Sequence, residues 1–409
     1  MEVSVGRLPR LTAAAAAAVG LGSFGAAAPS PREPLLAVVQ QAGNRPAILA
    51  RFDPFSLSAV SPKVEVGEYH HAWSFSPDGS QLALARGGQG IGIQIVDLAA
   101  MKLVREVRTG IAAEALGWLA PRRLVAGLQR GGTVLVDPVT GAIVRRWPGF
   151  SFPDAWARSR DGLVMLLPRL RKSPPNLPLT RVAGPPRLAV ADAQGLRSVL
   201  LGRIRLGVRV RNGIHFGDYA GLAVDPERGR AYVFAGSAPV AEIDLRTMRI
   251  SYHRLRPSPS GRARRNVLAR DRSALWLGDG RMLVFGRDEL VPTRRERFPS
   301  SPAGASLVDT ATWRRRLIDA KAGGAAFAGG RLLAFGSDGI KVGLRAYTLG
   351  GRKAFELFKN QRVLDVFVTT DWAYVRLPTA VYVIDVTSGK IIRKITPPVD
   401  LLDLIVGPS

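Results

Sequence analysis

Cysteine is absent from the 409 residues. That single absence excludes disulfides, thiolate zinc sites, iron–sulfur clusters and cysteine nucleophiles. Lysine is scarce: nine residues between Lys63 and Lys394 leave arginine to supply 49 of the 58 basic side chains. Aromatic residues make up only 7%. Past residue 34 no run is long and apolar enough to cross a bilayer. No Gly-x-Ser-x-Gly elbow, zinc-protease helix or phosphate-binding glycine loop occurs, which removes the commonest hydrolase and nucleotide-binding motifs. No stretch keeps a 3.6-residue apolar period, so helical repeats have no support.

What is present points to a large folded core. Apolar residues make up 46%, which excludes a disordered chain. The net charge of +26 and pI near 11.4 predict attraction to polyanions at low salt. A composition heavy in Arg, Ala, Gly and Pro is also what GC-rich codon usage produces. The charge is therefore informative only where arginines cluster.

Residues 1–34 differ from the rest. Arg7 and Arg10 precede an uncharged, alanine-dominated run from Leu11 to Ala28, which ends in Ala26-Ala27-Ala28 before Pro29-Ser30-Pro31. That order predicts a secretory signal peptide with its linker, and a folded domain over 35–409. A secreted or cell-envelope location follows, and a cysteine-free chain needs no oxidative folding there.

From residue 35 onward one unit recurs, clearest in Ala72–Asp78 with Gly79, then Gln81–Ala85, Ile91–Leu98 and Lys102–Val107. Apolar residues alternate in the first and fourth pieces and are nearly continuous in the middle two, as expected of half-buried and fully buried strands. Pro77-Asp78-Gly79 supplies a tight turn. An aspartate ends the third strand at Asp53, Asp97, Asp137, Asp192, Asp244, Asp309 and Asp385, with Tyr347-Thr348 in the equivalent place. Successive anchors lie 38 to 65 residues apart. A unit of about 40 residues with four strands has the period of a propeller blade. Each aspartate is expected to accept amides of the following turn rather than to catalyse.

The predicted fold is all-β, a single β-propeller of four-stranded antiparallel blades. Eight anchors predict eight blades, with seven as the alternative if the first or fourth unit is degenerate. Leu35–Val39 already reads as a second strand, and Leu401–Val406 is an unpartnered apolar strand. Pairing the two would close the ring and remove a free edge.

Ser76-Pro77-Asp78-Gly79 with Leu82-Ala83 resembles the TolB-type repeat. Leu222–Val233 and Val381–Asp385 with Thr387-Ser388-Gly389-Lys390 resemble the YVTN-type repeat. Asp137–Gly141 with Trp147 is similar to the tryptophan-docking repeat of quinoprotein propellers. The resemblance to this bacterial repeat superfamily, with its WD40-like blades, covers most of 35–406. It implies blades and leaves function open.

Ligands of propellers usually sit at one mouth of the central channel, so residues before each innermost strand are the site candidates. They are His70, His71, Glu114, Asp154, Asp218, Arg272 and Arg362, a mixed ring suited to a small polar ligand or a metal. His71, Glu114 and Asp154 are candidates to converge as metal ligands, and His215 with Asp218 as a base and its orienting carboxylate. The bland alternative is that these groups cap strands and hydrate the channel. No resident metal or cofactor is expected.

Arginine clusters are the second candidate set. Arg203, Arg205, Arg209 and Arg211 alternate with Ile204, Leu206, Val208 and Val210, which predicts guanidinium groups on one strand face. Arg262, Arg264 and Arg265 fall in a stretch expected to be loop, as do 168–187 and 287–305. Such clusters grip phosphates and carboxylates bidentately. Base-stacking aromatics are not interleaved, so specific nucleic-acid reading is not expected. The expected function is a monomeric, non-catalytic binding or scaffold protein, engaging a protein or an anionic polymer such as a glycan or lipid headgroups. The competing class is a propeller enzyme, lactonase-like or quinone-dependent, working at the channel mouth.

Overall fold

The computed structural model describes residues 34–405 apart from 42–45, 88–90, 152, 161, 172–179, 212–213, 237, 258–266, 292–298, 337–339 and 397–398. Arg262, Arg264 and Arg265 lie outside the described residues, as does the N-terminal segment. Among the described residues there is no helix, and so none long enough to cross a membrane.

The strands form antiparallel meanders arranged as a β-propeller. Seven sheets have four strands; an eighth contains a path of the same kind, Val267–Gly278, Arg281–Leu290, Ala305–Asp309 and Arg315–Asp319, with three more strands attached. We number the sheets in chain order. The innermost strand of sheet 1 is Val399–Leu404, that of sheet 2 Tyr69–Phe75, of sheet 3 Ala113–Ala120 and of sheet 4 Ala155–Arg158. Sheets 5 to 8 begin with Gly221–Asp225, Val267–Gly278, Gly324–Ala328 and Asp365–Val368.

Strand character follows the sequence pattern. Second strands such as Gly162–Leu167 are buried throughout, whereas outermost strands such as Ile143–Trp147 and Ile391–Ile395 are almost wholly exposed. These outer edges carry Arg145, Arg146, Arg393 and Lys394, charges that oppose edge-to-edge pairing with another chain. The third-strand aspartates accept turn amides as expected: Asp244 Oδ1 takes Arg246 N and Thr247 N, and Asp385 Oδ1 takes Thr387 N and Ser388 N. Those amide bonds hold both carboxyls below the usual range.

Eight apolar clusters fill the seams, each shared by two neighbouring sheets. Val38, Leu49, Tyr69 and Leu82 pack between sheets 1 and 2; Phe367, Tyr374, Leu401 and Leu404 between sheets 8 and 1. A fully buried leucine such as Leu82 contributes roughly 1.5–3 kcal/mol relative to an exposed one. The C-terminal strand pairs antiparallel with Leu35–Gln41, from Ala37 opposite Leu404 to Gln41 opposite Val399. The first and last parts of the domain thus close the ring in one sheet.

Candidate functional site

In a four-strand meander the second-to-third and fourth-to-first connections lie at the same end. That end is the mouth at which the innermost strands begin. At the mouth sheet 2 departs from regular pairing. Tyr69 lies opposite Arg86 and Trp73 opposite Leu84, so the inner strand holds two residues more than its partner. This bulge carries His70 and His71, and His71 has φ of 54°, the left-handed region disfavoured for residues with a Cβ. Gly87 makes room for it: a Cβ there would stand 2.2 Å from His70 Nε2.

His70 lies between two carboxylates, with Nε2 4.0 Å from Glu68 Oε1 and Nδ1 4.0 Å from Glu114 Oε1. Both distances are too long for hydrogen bonds. Glu114 also accepts from Gln129 Nε2. His71 turns inward against Tyr69, ring centroids 5.0 Å apart. Burial, then the charges of His70 and Arg376, push its pKa down to about 4, so the imidazole is neutral at physiological pH. Below the bulge, Arg158 of sheet 4 crosses to sheet 2 and donates Nη2 to the Trp73 carbonyl.

His70, His71 and Glu114 lie within their strands rather than before them. Asp154 directly precedes Ala155–Arg158, and its N–H donates to the Leu166 carbonyl. Arg362 lies in the connection between sheets 7 and 8. His70, not His71, faces Glu114, and among the described residues no three metal-ligating side chains gather at one point. The expected convergence of His71, Glu114 and Asp154 on a metal is therefore not found.

Asp218 and Arg272 belong to a different structure. Asp218 ends the strand Ile214–Asp218, which pairs antiparallel with Gly207–Arg211 and parallel with the start of Val267–Gly278. Its carboxylate takes Arg270 Nη1 at 3.2 Å. Arg272 donates to the carbonyls of Asp271 and Arg287 and reaches Asp288 Oδ1 at 2.7 Å. Asp218 thus ties the short strand Ile214–Asp218 to Val267–Gly278, and Arg272 ties Val267–Gly278 to Arg281–Leu290. His215 lies on the same hairpin, its side chain outside what is described.

These strands belong to a continuous crown. Leu170–Arg171 pairs with Thr180–Arg181. The chain then bonds through Ala183 N to Val208 O, and through Gly184 to Leu206, onto the 207–218 hairpin. The hairpin joins Val267–Gly278, which pairs with Arg281–Leu290, which pairs with Ser300–Pro302. Parts of the stretches expected as loops, from Val267 in 254–272 and both ends of 287–305, are therefore strands. Four connections (168–187, 203–218, 254–272 and 286–304) contribute to it, all of them of the mouth-facing kinds.

Those four segments hold 20 of the 58 basic residues and 5 of the 32 acidic ones, +15 of the net +26. Arg203 and Arg205 are exposed, while Ile204 and Leu206 between and beside them are buried. The predicted alternation thus holds over 203–206, just before the strand; the side chains of Arg209 and Arg211 are outside what is described. The Arg203 guanidinium lies 5.2 Å from the Tyr252 ring centroid, and among the described residues neither Arg203 nor Arg205 forms an ion pair. Asn212-Gly213, between two alternating stretches, was the sequence signal for this hairpin.

Ring and meander define the class: a β-propeller. No family model matches the chain, and no curated protein matches it by sequence. Solved structures of similar fold include the dihydro-heme d1 dehydrogenase NirN in complex with DHE, with a TM-score of 0.60 and 17% identity over 93% of this chain and 77% of that one. Apo AztD from Citrobacter koseri superposes with a TM-score of 0.55 and 14% identity over 92% of this chain and 99% of that one. Identities this low establish the shared propeller fold and nothing about activity.

Proposed function

We propose that the chain is a binding propeller that engages an anionic partner, an acidic protein surface or a polyanion, through the crown. One observation carries this: the four segments that hold more than half of the net charge are joined, in their described parts, into one hydrogen-bonded structure. Arginines deeper in the crown are already paired with Asp218, Asp271 and Asp288, whereas Arg203 and Arg205 are exposed and form no ion pair among the described residues. A rigid strand scaffold spares the partner the cost of ordering a loop. Eight seams and eight innermost strands support an eight-bladed ring, the crown being an addition to the sixth blade. The domain spans 35–409, and the signal-like residues 1–34 direct it to the envelope or exterior.

Binding of the purified chain to polyphosphate, titrated with salt, tests the proposal. Binding at low salt that weakens steeply with added salt, and weakens further in an Arg203→Ala/Arg205→Ala double variant, is expected. No binding at low salt, or an unchanged double variant, overturns the polyanion form of it.

One observation favours an enzyme at the mouth instead. His71 holds a costly left-handed backbone in a bulge, a kind of strain that collects at working sites. A cofactor absorbance scan and a metal analysis of the purified protein test for it; blanks in both leave the crown as the working surface.

A further inference from the structure

The ring depends on the closing strand Val399–Leu404, and one buried carboxyl faces its seams. Asp403 is 1% exposed. Its Oδ2 accepts from Tyr69 Oη of sheet 2 at 2.7 Å, while among the described residues Oδ1 meets no donor at full hydrogen-bond geometry, the Trp73 side chain and the Leu404 amide compensating only in part. A carboxylate taken out of water with one oxygen unsatisfied is costly; a neutral carboxyl is much less so.

The groups around it do not supply a compensating cation. From sheet 2 come the Tyr69 hydroxyl and the side chain of Trp73; from sheet 8 comes Asp365, a like charge; from its own strand comes the Leu404 amide. Val38, its partner on Leu35–Gln41, is apolar. Of the buried cations nearby, Arg158 is felt at Tyr69 and spends its Nη2 on the Trp73 carbonyl, and Arg376 of sheet 8 stands opposite Asp365 in register; neither is among the causes that set the Asp403 pKa.

We infer that ring closure is a proton-dependent latch: the closing strand is held most firmly while Asp403 is protonated, and its hold weakens as that proton is lost. Burial first, and Asp365 among the further causes, raise the Asp403 pKa from 3.8 to about 7. A carboxyl exposed by opening titrates near its ordinary value, so opening is favoured progressively from about pH 4 up to pH 7 and no further above it. His71 has the opposite linkage, which is why the latch is read as a difference between variants. The latch is independent of what the crown binds.

The test is amide hydrogen exchange of Leu401–Leu404 in the full chain at pH 5 and pH 7.5, corrected for intrinsic exchange rates. The ratio of the wild-type opening constant to that of Asp403→Asn is expected to rise on the order of 50-fold between the two pH values. A ratio that stays constant overturns the latch. Tyr69→Phe gives a second reading should Asp403→Asn fail to fold. Losing the hydroxyl that stabilises the carboxylate should extend the pH dependence of opening above pH 7; an unmoved or lowered upper limit overturns the latch equally.

Discussion

The guanidinium carbon of Arg158 lies 4.6 Å from the centroid of the Trp73 ring, and Nη2 of the same side chain donates to the Trp73 carbonyl. The two residues belong to sheets 4 and 2, with sheet 3 between them in the chain. Burial depresses the Arg158 pKa to about 10, still far above neutrality, so the cation remains charged inside the channel. Arg158→Ala removes a charge-assisted hydrogen bond and a cation–π contact and strands a carbonyl. We expect a loss of about 2–4 kcal/mol in urea unfolding. Arg158→Met keeps the packing volume and removes the buried charge, so it should cost clearly less. Equal losses in the two variants would put the whole loss on the charge-borne contacts and none on packing volume.

Tyr374, in the seam between sheets 8 and 1, is fully buried, and among the described residues its hydroxyl has no hydrogen-bond partner. Burial raises its pKa, so it titrates in no ordinary buffer. An unsatisfied buried hydroxyl is a liability that phenylalanine lacks. Tyr374→Phe should leave stability unchanged or raise it by about 1 kcal/mol. A fall in melting temperature would mean that the hydroxyl is satisfied by an ordered water.

His71 gives the pH dependence its second sign. Its pKa falls from 6.5 in the open chain to about 4 in the ring. Between those values the unfolded chain binds the extra proton, so this contribution is complete above pH 6.5 and is lost as pH falls toward 4. The span corresponds to about 3 kcal/mol at most. Asp403 runs the other way, its contribution complete below pH 3.8 and lost as pH rises to about 7. The two slopes nearly cancel in the wild type between pH 4 and 6.5. Denaturant midpoints of Asp403→Asn should therefore rise with pH across that window, and those of His71→Gln should fall. His71→Gly should also relieve the left-handed backbone and gain up to about 1 kcal/mol at pH 8. Parallel pH profiles of the wild type, Asp403→Asn and His71→Gln would show that neither group titrates as its surroundings require.

The ring was legible because its signals are local and repeated. Alternation in Ala72–Phe75, continuity in Leu82–Ala85 and an aspartate turn at each third strand are all read within ten residues. Closure was legible too, because Leu401–Ile405 is apolar with no partner nearby in sequence. The crown was not. Pairing of Asp218 with Arg270 spans 52 residues, and Val267–Gly278 hides its strand period behind Arg270, Asp271 and Arg272, which point to partners in the crown rather than to an apolar core. The mouth was legible only as a set of polar residues: sequence located His70 and His71 but not the bulge that turns one toward Glu114 and buries the other.

Gly207 tests whether the crown is one structure and whether it is the binding surface. Its φ is +98°, and a Cβ on it would stand 2.5 Å from the Val182 carbonyl oxygen. That contact lies where the chain leaving the 170–181 ribbon meets the 207–218 hairpin, next to the bonds Ala183 N to Val208 O and Gly184 N to Leu206 O. Gly207→Ala cannot keep this approach, because the obstacle is backbone rather than a flexible side chain. The ribbon should part from the hairpin, giving a protease faster access to the bonds after Arg171 and Arg181. The eight seams do not involve Gly207, so the melting temperature of the ring should fall by no more than a few degrees. Polyphosphate binding should weaken several-fold even though no arginine has been removed, since the guanidinium groups would no longer share one scaffold. Faster cleavage with unchanged binding would leave the crown intact as a structure but reduce it to a carrier of independent charges.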